Sequence, residues 1–472
     1  MSLTRFSFFA FVTTVMAGCM TIFNAQETQR ALCDKGNGCD YAGAPVCLAD
    51  YSLRELVGFA MTNRPSIVAA ALEVADARLA LLEIAADAPL VSYSPWTSPH
   101  LALSGGYSAA SEGSKHLNAK TEGNASAGLS VDVLVYDFGR NLSLANEQAE
   151  RVLAAEYAFV QEGYVVFEEV ASAYFNLLTA DAMLEVAKTN EYEYAIHLQQ
   201  AEDMLAAGEA KRLDVTRARL DLSQAQEMLV AASNTVDTAG AELMRALGVD
   251  AARGTRNEVF PASGQALRFL SRGFADTHYE TTEAFDLART NAPVMAVARA
   301  RLRSASYRVD YAIADLMPSI SATVGISWAD PVWAWHWGVN AVQTIFQGFR
   351  KTTAVDRAVV QLQISAAAVD EAEQQLSLEI EQAIAVRDNA IKACATAKAS
   401  MRSAKENLDT VKEQYREGDA SRVDFTDSVS DYATALGSRV NAFYKGQIAE
   451  AKLFALVGRV PEFLEEEERL GK

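Results

Sequence analysis

Apolar positions along the chain follow two different periods, and the same succession of periods occurs twice. From Ala125 to Tyr136 they alternate, with Ala125, Ala127, Leu129, Val131, Val133 and Val135 on one side and Ser126, Gly128, Ser130 and Asp132 on the other. From Ser319 to Trp328 the alternation returns, Ile320, Ala322, Val324, Ile326 and Trp328 against Ser319, Ser321, Thr323, Gly325 and Ser327. Beyond Ala329-Asp330-Pro331, Trp333, Trp335, Trp337, Val339 and Ala341 alternate with Ala334, His336, Gly338 and Asn340. A period of two predicts strands with one apolar and one small polar face. Leu101 to Ser108 makes a fourth. After each strand region the period lengthens to three and four, as at Val166, Val170, Ala173 and Leu177. Between Arg140 and Ala207 there is no proline and one glycine, Gly163; between Arg350 and Glu417 there is neither. Each stretch predicts a helix of roughly 100 Å at 1.5 Å per residue, longer than ordinary globular helices and rich enough in alanine for coiled-coil packing. Gly208 and Gly418 carry no Cβ to penalise a left-handed cap, so the chain can reverse there into a second helix.

The order of elements is a duplication. Ala207-Gly208-Glu209-Ala210-Lys211-Arg212-Leu213-Asp214-Val215 aligns with Glu417-Gly418-Asp419-Ala420-Ser421-Arg422-Val423-Asp424-Phe425 at an offset of 210. Arg140 of Tyr136-Asp137-Phe138-Gly139-Arg140 meets Arg350 of Phe346-Gln347-Gly348-Phe349-Arg350 at the same offset, as Leu247-Gly248 meets Val457-Gly458. Asn63-Arg64-Pro65 matches Asn291-Ala292-Pro293 at 228, which puts 18 extra residues in the non-helical part of the first copy. Each copy is expected to contain a short helix (Leu53 to Ala86, Thr282 to Leu316), two strands and a helical hairpin. The expected organisation is an export signal at 1–18, an N-terminal segment at 19–51, the first repeat at 52–250, a connecting segment at 251–281, the second repeat at 282–458 and an acidic tail at 459–472. Glu465 to Glu468 in that tail reads as a solvated end.

Strands of about 9 to 11 residues, apolar on one face and polar on the other with aromatics near one end, fit a transmembrane barrel. A soluble sandwich would instead turn the apolar face inward. Three alternate tryptophans on one strand favour lipid, and Trp328, Trp333, Trp335 and Trp337 then read as interface aromatics. Known membrane barrels have at least about eight strands, so four strands per chain close a barrel only when several chains pool them.

Composition narrows the classes. The 472 residues are 50% hydrophobic and 22% charged, unlike disordered, collagen-like or disulfide-scaffold chains. A formal charge of −19, from 61 acidic against 42 basic residues, repels phosphate backbones and argues against nucleic acid as a partner. After residue 20 no apolar run is long enough for a spanning helix. The first twenty residues carry one charge, Arg5, then an apolar run and Met16-Ala17-Gly18-Cys19. That is an export signal, and its end resembles the lipobox of bacterial lipoproteins, with Cys19 as the lipid attachment site; an ordinary signal peptide is the alternative. Removal of residues 1–18 would leave a charge of −20. Cys33, Cys39 and Cys47 are spaced for no familiar zinc site, while export permits a disulfide among them. Cys394 reads as a small buried apolar residue.

The hairpin tips carry the candidate chemistry. Asp214 and Asp424 each lie six residues past a tip glycine, where a carboxylate complements the helix dipole. Asp427 has Arg217 as its counterpart, so a cap shared by both copies does not require it. It lies three residues from Asp424, on the same helical face, and assembly of several chains would gather these carboxylates at one constriction.

The repeated Asn-x-Pro, the aromatic-x-x-Gly-Arg or aromatic-x-Gly-x-Arg entry to each long helix and the repeated Gly-x-x-x-Arg-x-Asp tip resemble the TolC-like outer membrane efflux protein family from about Leu53 to Gly458. The resemblance implies an α+β membrane protein with internal duplication. Three chains would give a 12-stranded β-barrel, and their antiparallel coiled-coil hairpins a periplasmic tunnel. It implies an outer membrane location with most of the mass in the periplasm, no cofactor and no metal. It also implies docking through the tips, at Gly208, Arg212, Gly418 and Arg422, onto a periplasmic adaptor and an inner-membrane pump, often of the resistance-nodulation-division type. Small molecules or polypeptide would leave by tripartite efflux or type I secretion. The family's acidic gate ring maps onto Asp424 and Asp427, and its latch onto Tyr415 and Asp214; its latch arginine falls at Ala420.

Two other classes remain as alternatives. A non-pore periplasmic coiled-coil scaffold lipoprotein fits the helices but not the Trp-rich strands. A membrane-barrel enzyme lacks support: Gly-x-Ser-x-Gly, the phosphate-loop pattern and His-Glu-x-x-His are all missing from the sequence. The histidines are scattered. His197 reads as a solvated residue on a helix face, and His100 and His116 as loop residues.

Overall fold

A computed structural model describes residues 52–86, 100–111, 121–208, 211–249, 281–329, 332–417 and 419–471. The export signal, Cys19, the Cys33, Cys39 and Cys47 cluster, His116 and Gly418 lie outside the described residues.

The alternating segments form β1 (His100–Ser111), β2 (Thr121–Tyr136), β3 (Ser319–Ala329) and β4 (Val332–Val342), paired antiparallel in the order β1-β2-β3-β4. His100 therefore begins a strand rather than sitting in a loop. The register stacks like on like, so that Leu129 faces Ile326, which faces Trp335, and Val131 faces Val324, which faces Trp337. On the opposite face Asp132 meets Thr323 and then Gly338, and the Thr323 hydroxyl donates to the Asp132 carboxylate at 2.5 Å. Among the described residues the apolar face of β4 is open: Trp333, Trp335 and Trp337 are 66%, 75% and 70% exposed. β1 and β4 each pair with one neighbour, leaving two open edges among the described residues.

Both segments expected as one short helix are two. α1 (Leu53–Asn63) stops before α2 (Pro65–Ala86). The Pro65 ring has no N–H and crowds the preceding residue, and Arg64 is extended at φ −71°, ψ 128°. The second copy repeats the break. Ala292, at φ −65°, ψ 126°, separates α5 (Thr281–Asn291) from α6 (Pro293–Ala314).

The breaker-free stretches are the unbroken helices α3 (Arg140–Ala206) and α7 (Arg350–Glu417), of 67 and 68 residues. α4 (Arg212–Ala246) and α8 (Arg422–Val457) return antiparallel along half of that length, and α2 and α6 pack along the other half. Gly163 does not interrupt α3; the missing Cβ leaves room for the Met61 methyl, which would sit 3.2 Å from it.

The returning helices end where the proline breaks lie. Gly248 and Gly458 cap α4 and α8 at φ 76° and 79°, the left-handed region that glycine enters without penalty. A Cβ on Gly458 would lie 2.8 Å from the Asn291 carbonyl, and one on Gly248 would lie 3.2 Å from the Asn63 carbonyl. The two ends of each repeat thus close on each other at mid-height. Around that closure lies the main core, with Leu53 and Leu56 of α1, Phe167 and Val170 of α3, Leu243 of α4 and Phe443, Tyr444 and Phe454 of α8. The chain end joins it: α9 (Val460–Gly471) buries Val460 and Phe463, whose ring meets Phe167 edge-on at 5.7 Å. Val460 and Phe463 thus anchor the first turn of α9, while Glu465 is exposed. Cys394, half-buried, packs at the margin of the same core.

Candidate functional site at the hairpin tips

The tips lie at the ends of α3 and α7. Gly208 is left-handed at φ 82° and fully open, with no atom within 4 Å of a would-be Cβ, so its role is the reversal itself. Across the turn, Asp214 accepts the Lys211 backbone N–H at 3.1 Å. Asp424 does the same for α8, accepting from the Ser421 N–H at 3.0 Å and its hydroxyl at 2.7 Å, while the Asp424 N–H donates back to that hydroxyl at 3.3 Å. This reciprocal cap satisfies helix N–H groups that otherwise lack partners. The hydrogen bonds from Ser421 hold the Asp424 carboxyl below its usual pKa. Its contribution is present above the ordinary carboxylate range and is lost only as pH falls through the lowered value. Asp424 and Asp427 are both exposed, one turn apart on α8.

Tyr415 stands in a cluster with Tyr194, Leu222, Ala225, Leu408, Val411, Phe425, Val429 and Tyr432, drawn from all four hairpin helices. Its ring lies 5.2 Å from those of both Phe425 and His197. Burial pushes its phenol up, Arg422 pulls it down, and the Asp214 charge raises it. No hydrogen bond joins Tyr415 to Asp214 among the described residues, so within one chain the tyrosine acts through its ring.

His197 contradicts the solvated reading. It is 0% exposed, stacked on Phe425 at 4.8 Å, and neither ring nitrogen has a hydrogen-bond partner. Burial pushes its pKa down from 6.5; Asp221 on α4 opposes this and Arg422 on α8 reinforces it. A neutral imidazole is the form that this site accepts. Its stabilising contribution is complete above 6.5 and is lost as pH falls toward the lowered value, by up to about tenfold in the folding equilibrium per pH unit within that window. His197→Phe should flatten the loss of thermal stability between pH 7.5 and 5, measured by circular dichroism; a wild-type slope in the variant would refute the assignment.

Charge pairs tie the two hairpins around this cluster. Arg422 donates to Asp221 at 2.6 Å, joining α8 to α4. Lys412 holds both carboxylate oxygens of Glu193 at 2.6 and 2.7 Å, joining α7 to α3. Sequence reasoning named Arg422 without a partner and missed Asp221, Glu193 and Lys412. One signal was available: Asp221 has Asp431 at the repeat offset, as Arg422 has Arg212. Arg212 itself is exposed and unpaired among the described residues. No group of three or more metal-ligating side chains occurs among the described residues, and none of their helices is long and apolar enough to cross a membrane.

A sequence profile of the outer membrane efflux protein family matches residues 56–249 and 284–459. The chain belongs to that family. Among efflux proteins it is similar to the cation efflux system protein CusC of Escherichia coli K12, 22% identical over 440 residues that span 91% of this chain and 92% of the relative. Two solved structures share the fold. A membrane protein from Pseudomonas aeruginosa superimposes with a TM-score of 0.74 at 21% identity, over 87% of this chain and 91% of that one. A crystal structure of CusC does so with a TM-score of 0.73 at 21% identity, over 89% and 95%. The resemblance to TolC-like efflux proteins is thereby established, and the fold is the channel-subunit fold of a strand sheet carrying long helical hairpins.

Proposed function

We propose that three copies of this efflux protein pool their strands into one 12-stranded barrel in the outer membrane and their hairpins into a periplasmic tunnel. The tunnel is closed at the tips and opened by a periplasmic adaptor working with an inner-membrane pump. The observation that carries this reading is the four-strand sheet, whose Trp-rich face is open and whose two edges are unpaired among the described residues. In water both features are liabilities; in a closed barrel the apolar face meets lipid and the edges satisfy one another. The pairing of Asp132 with Thr323 on the other face suits a wet lumen. Trp328, Trp333, Trp335 and Trp337 lie at or near the membrane interface, and Cys19, once acylated, would add a lipid tether. Asp424 and Asp427 of three chains form the acidic ring, Tyr415 and Asp214 belong to the latch, and the tip segments around Gly208, Arg212, Gly418 and Arg422 meet the adaptor. An adaptor opens the tip only by binding the splayed state more tightly than the closed one.

Purified protein should sediment as a trimer in mild detergent, migrate anomalously on gels until boiled, and conduct ions in planar bilayers. A protein that is soluble without detergent, monomeric and non-conducting would establish the scaffold alternative instead.

A further inference from the structure

We propose that Arg212 of one chain pairs with Asp431 of a neighbouring chain, forming an inter-subunit tie at the tunnel tip that repeats the intra-chain Arg422 and Asp221 pair. The inference rests on the trimer reading above. Within one chain, the first residue of α8, Arg422, reaches Asp221 on α4 at 2.6 Å, and both side chains are about one-fifth exposed. Shifting each partner by the repeat offset of 210 gives Arg212, the first residue of α4, and Asp431, on α8. Both residue types are retained. In the single chain Arg212 and Asp431 are exposed and carry no ion pair among the described residues. In a ring of alternating first and second hairpins, every second seam joins the second hairpin of one chain to the first hairpin of the next. The duplication makes that seam equivalent to the intra-chain one, so the two unpaired groups are the pair it presents.

The rest of the tip is not duplicated. The intra-chain seam holds His197 stacked on Phe425 and beside Tyr415; the counterparts are Asn407, Val215 and Leu205. Val215 and Leu205 belong instead to a small cluster within the first hairpin, with Leu198, Ala201 and Ala218. The Lys412 and Glu193 pair has counterparts Glu202 and Ser403, which cannot form one. The seam between chains therefore keeps the charge pair without the aromatic stack, so the seam within a chain is the more heavily tied of the two.

The test uses thiols at the two seams. With Cys33, Cys39, Cys47 and Cys394 replaced by serine, Arg212→Cys with Asp431→Cys, treated with a short bis-maleimide in detergent, should give covalent dimers and trimers on denaturing gels. Asp221→Cys with Arg422→Cys should stay monomeric, because its cross-link closes within one chain. Charge reversal gives a second measurement: Arg212→Asp and Asp431→Arg should each lower the temperature at which trimers dissociate, and the two together should restore most of it. A sample that sediments as a trimer but yields only monomers from the 212/431 pair, or shows no coupling between the reversals, overturns the proposal and leaves the channel reading intact. A sample that never forms trimers overturns both.

Discussion

Asp424→Ala combined with Asp427→Ala is expected to weaken block of the channel current by multivalent cations by roughly tenfold or more, while leaving single-channel conductance at low divalent concentration nearly unchanged. The two carboxylates share one exposed face of α8, and the proposed threefold assembly would bring six of them to the narrow end of the tunnel. A ring of one charge sign in a confined passage concentrates counter-ions and is sensitive to salt over a Debye length of about 10 Å at 0.1 M. The two positions are not equivalent. Asp424 also caps α8 through Ser421, so its alanine variant removes a charge and loosens the turn together. Asp424→Asn keeps an acceptor oxygen for Ser421 and separates the two effects, and Asp427→Ala has no cap to lose. If block depends on charge, the Asn and Ala forms of residue 424 should match in cation affinity and differ only in thermal stability. The Ser421 hydrogen bonds that lower the Asp424 pKa add a sign: block should persist to lower pH than an ordinary carboxylate allows. Unchanged block in the double variant would refute the ring.

The elements that could be read from the sequence are those with a long, uniform period. α3 and α7 have one continuous pattern and almost no breakers, and β2 to β4 alternate over ten residues or more, so each kind of order is visible within its own segment. Pro65 and Pro293 dictate the breaks at Arg64 and Ala292, a local signal that the expectation of one helix in each segment passes over. Read as alignment marks, however, the Asn-x-Pro motifs do not reveal that they face Gly248 and Gly458 in space. The tip is harder for a physical reason. Its helices touch partners on more than one side, so no single polar stripe marks the solvent, and His197 between Ile196 and Leu198 looks the same whether buried or free. The ties that define the site link residues 201 and 219 positions apart, and no local pattern encodes such a pairing. Only the internal duplication does so, because it relates Arg422 and Asp221 to a second pair of the same types.

Arg422→Ala is expected to raise the resting open probability of the channel by about 5- to 150-fold, corresponding to a loss of roughly 1–3 kcal/mol for the gate as a whole. At 2.6 Å, with both side chains about one-fifth exposed, this is a charge-assisted bond in partly excluded solvent. Such bonds contribute more than surface ion pairs, and truncating one partner leaves the other charge poorly solvated. The position multiplies the effect. Arg422 opens α8 directly beyond the tip turn, and its guanidinium lies near His197 and Tyr415, so its loss loosens the tie between hairpins and the aromatic cluster beneath it. Arg422 and Lys412 both tie the second hairpin to the first, and of the two Arg422 lies next to the tip turn. Asp221→Ala should produce an increase of similar size, and the exchange of Arg422→Asp with Asp221→Arg should recover much of the closed state in planar-bilayer recordings. A purely structural role predicts something different: lower thermal stability in every variant, with an unchanged open probability in those that still assemble. If conductance in Arg422→Ala trimers stays at the wild-type resting level, the tip is held shut elsewhere and the assignment of Arg422 to the closed gate is wrong.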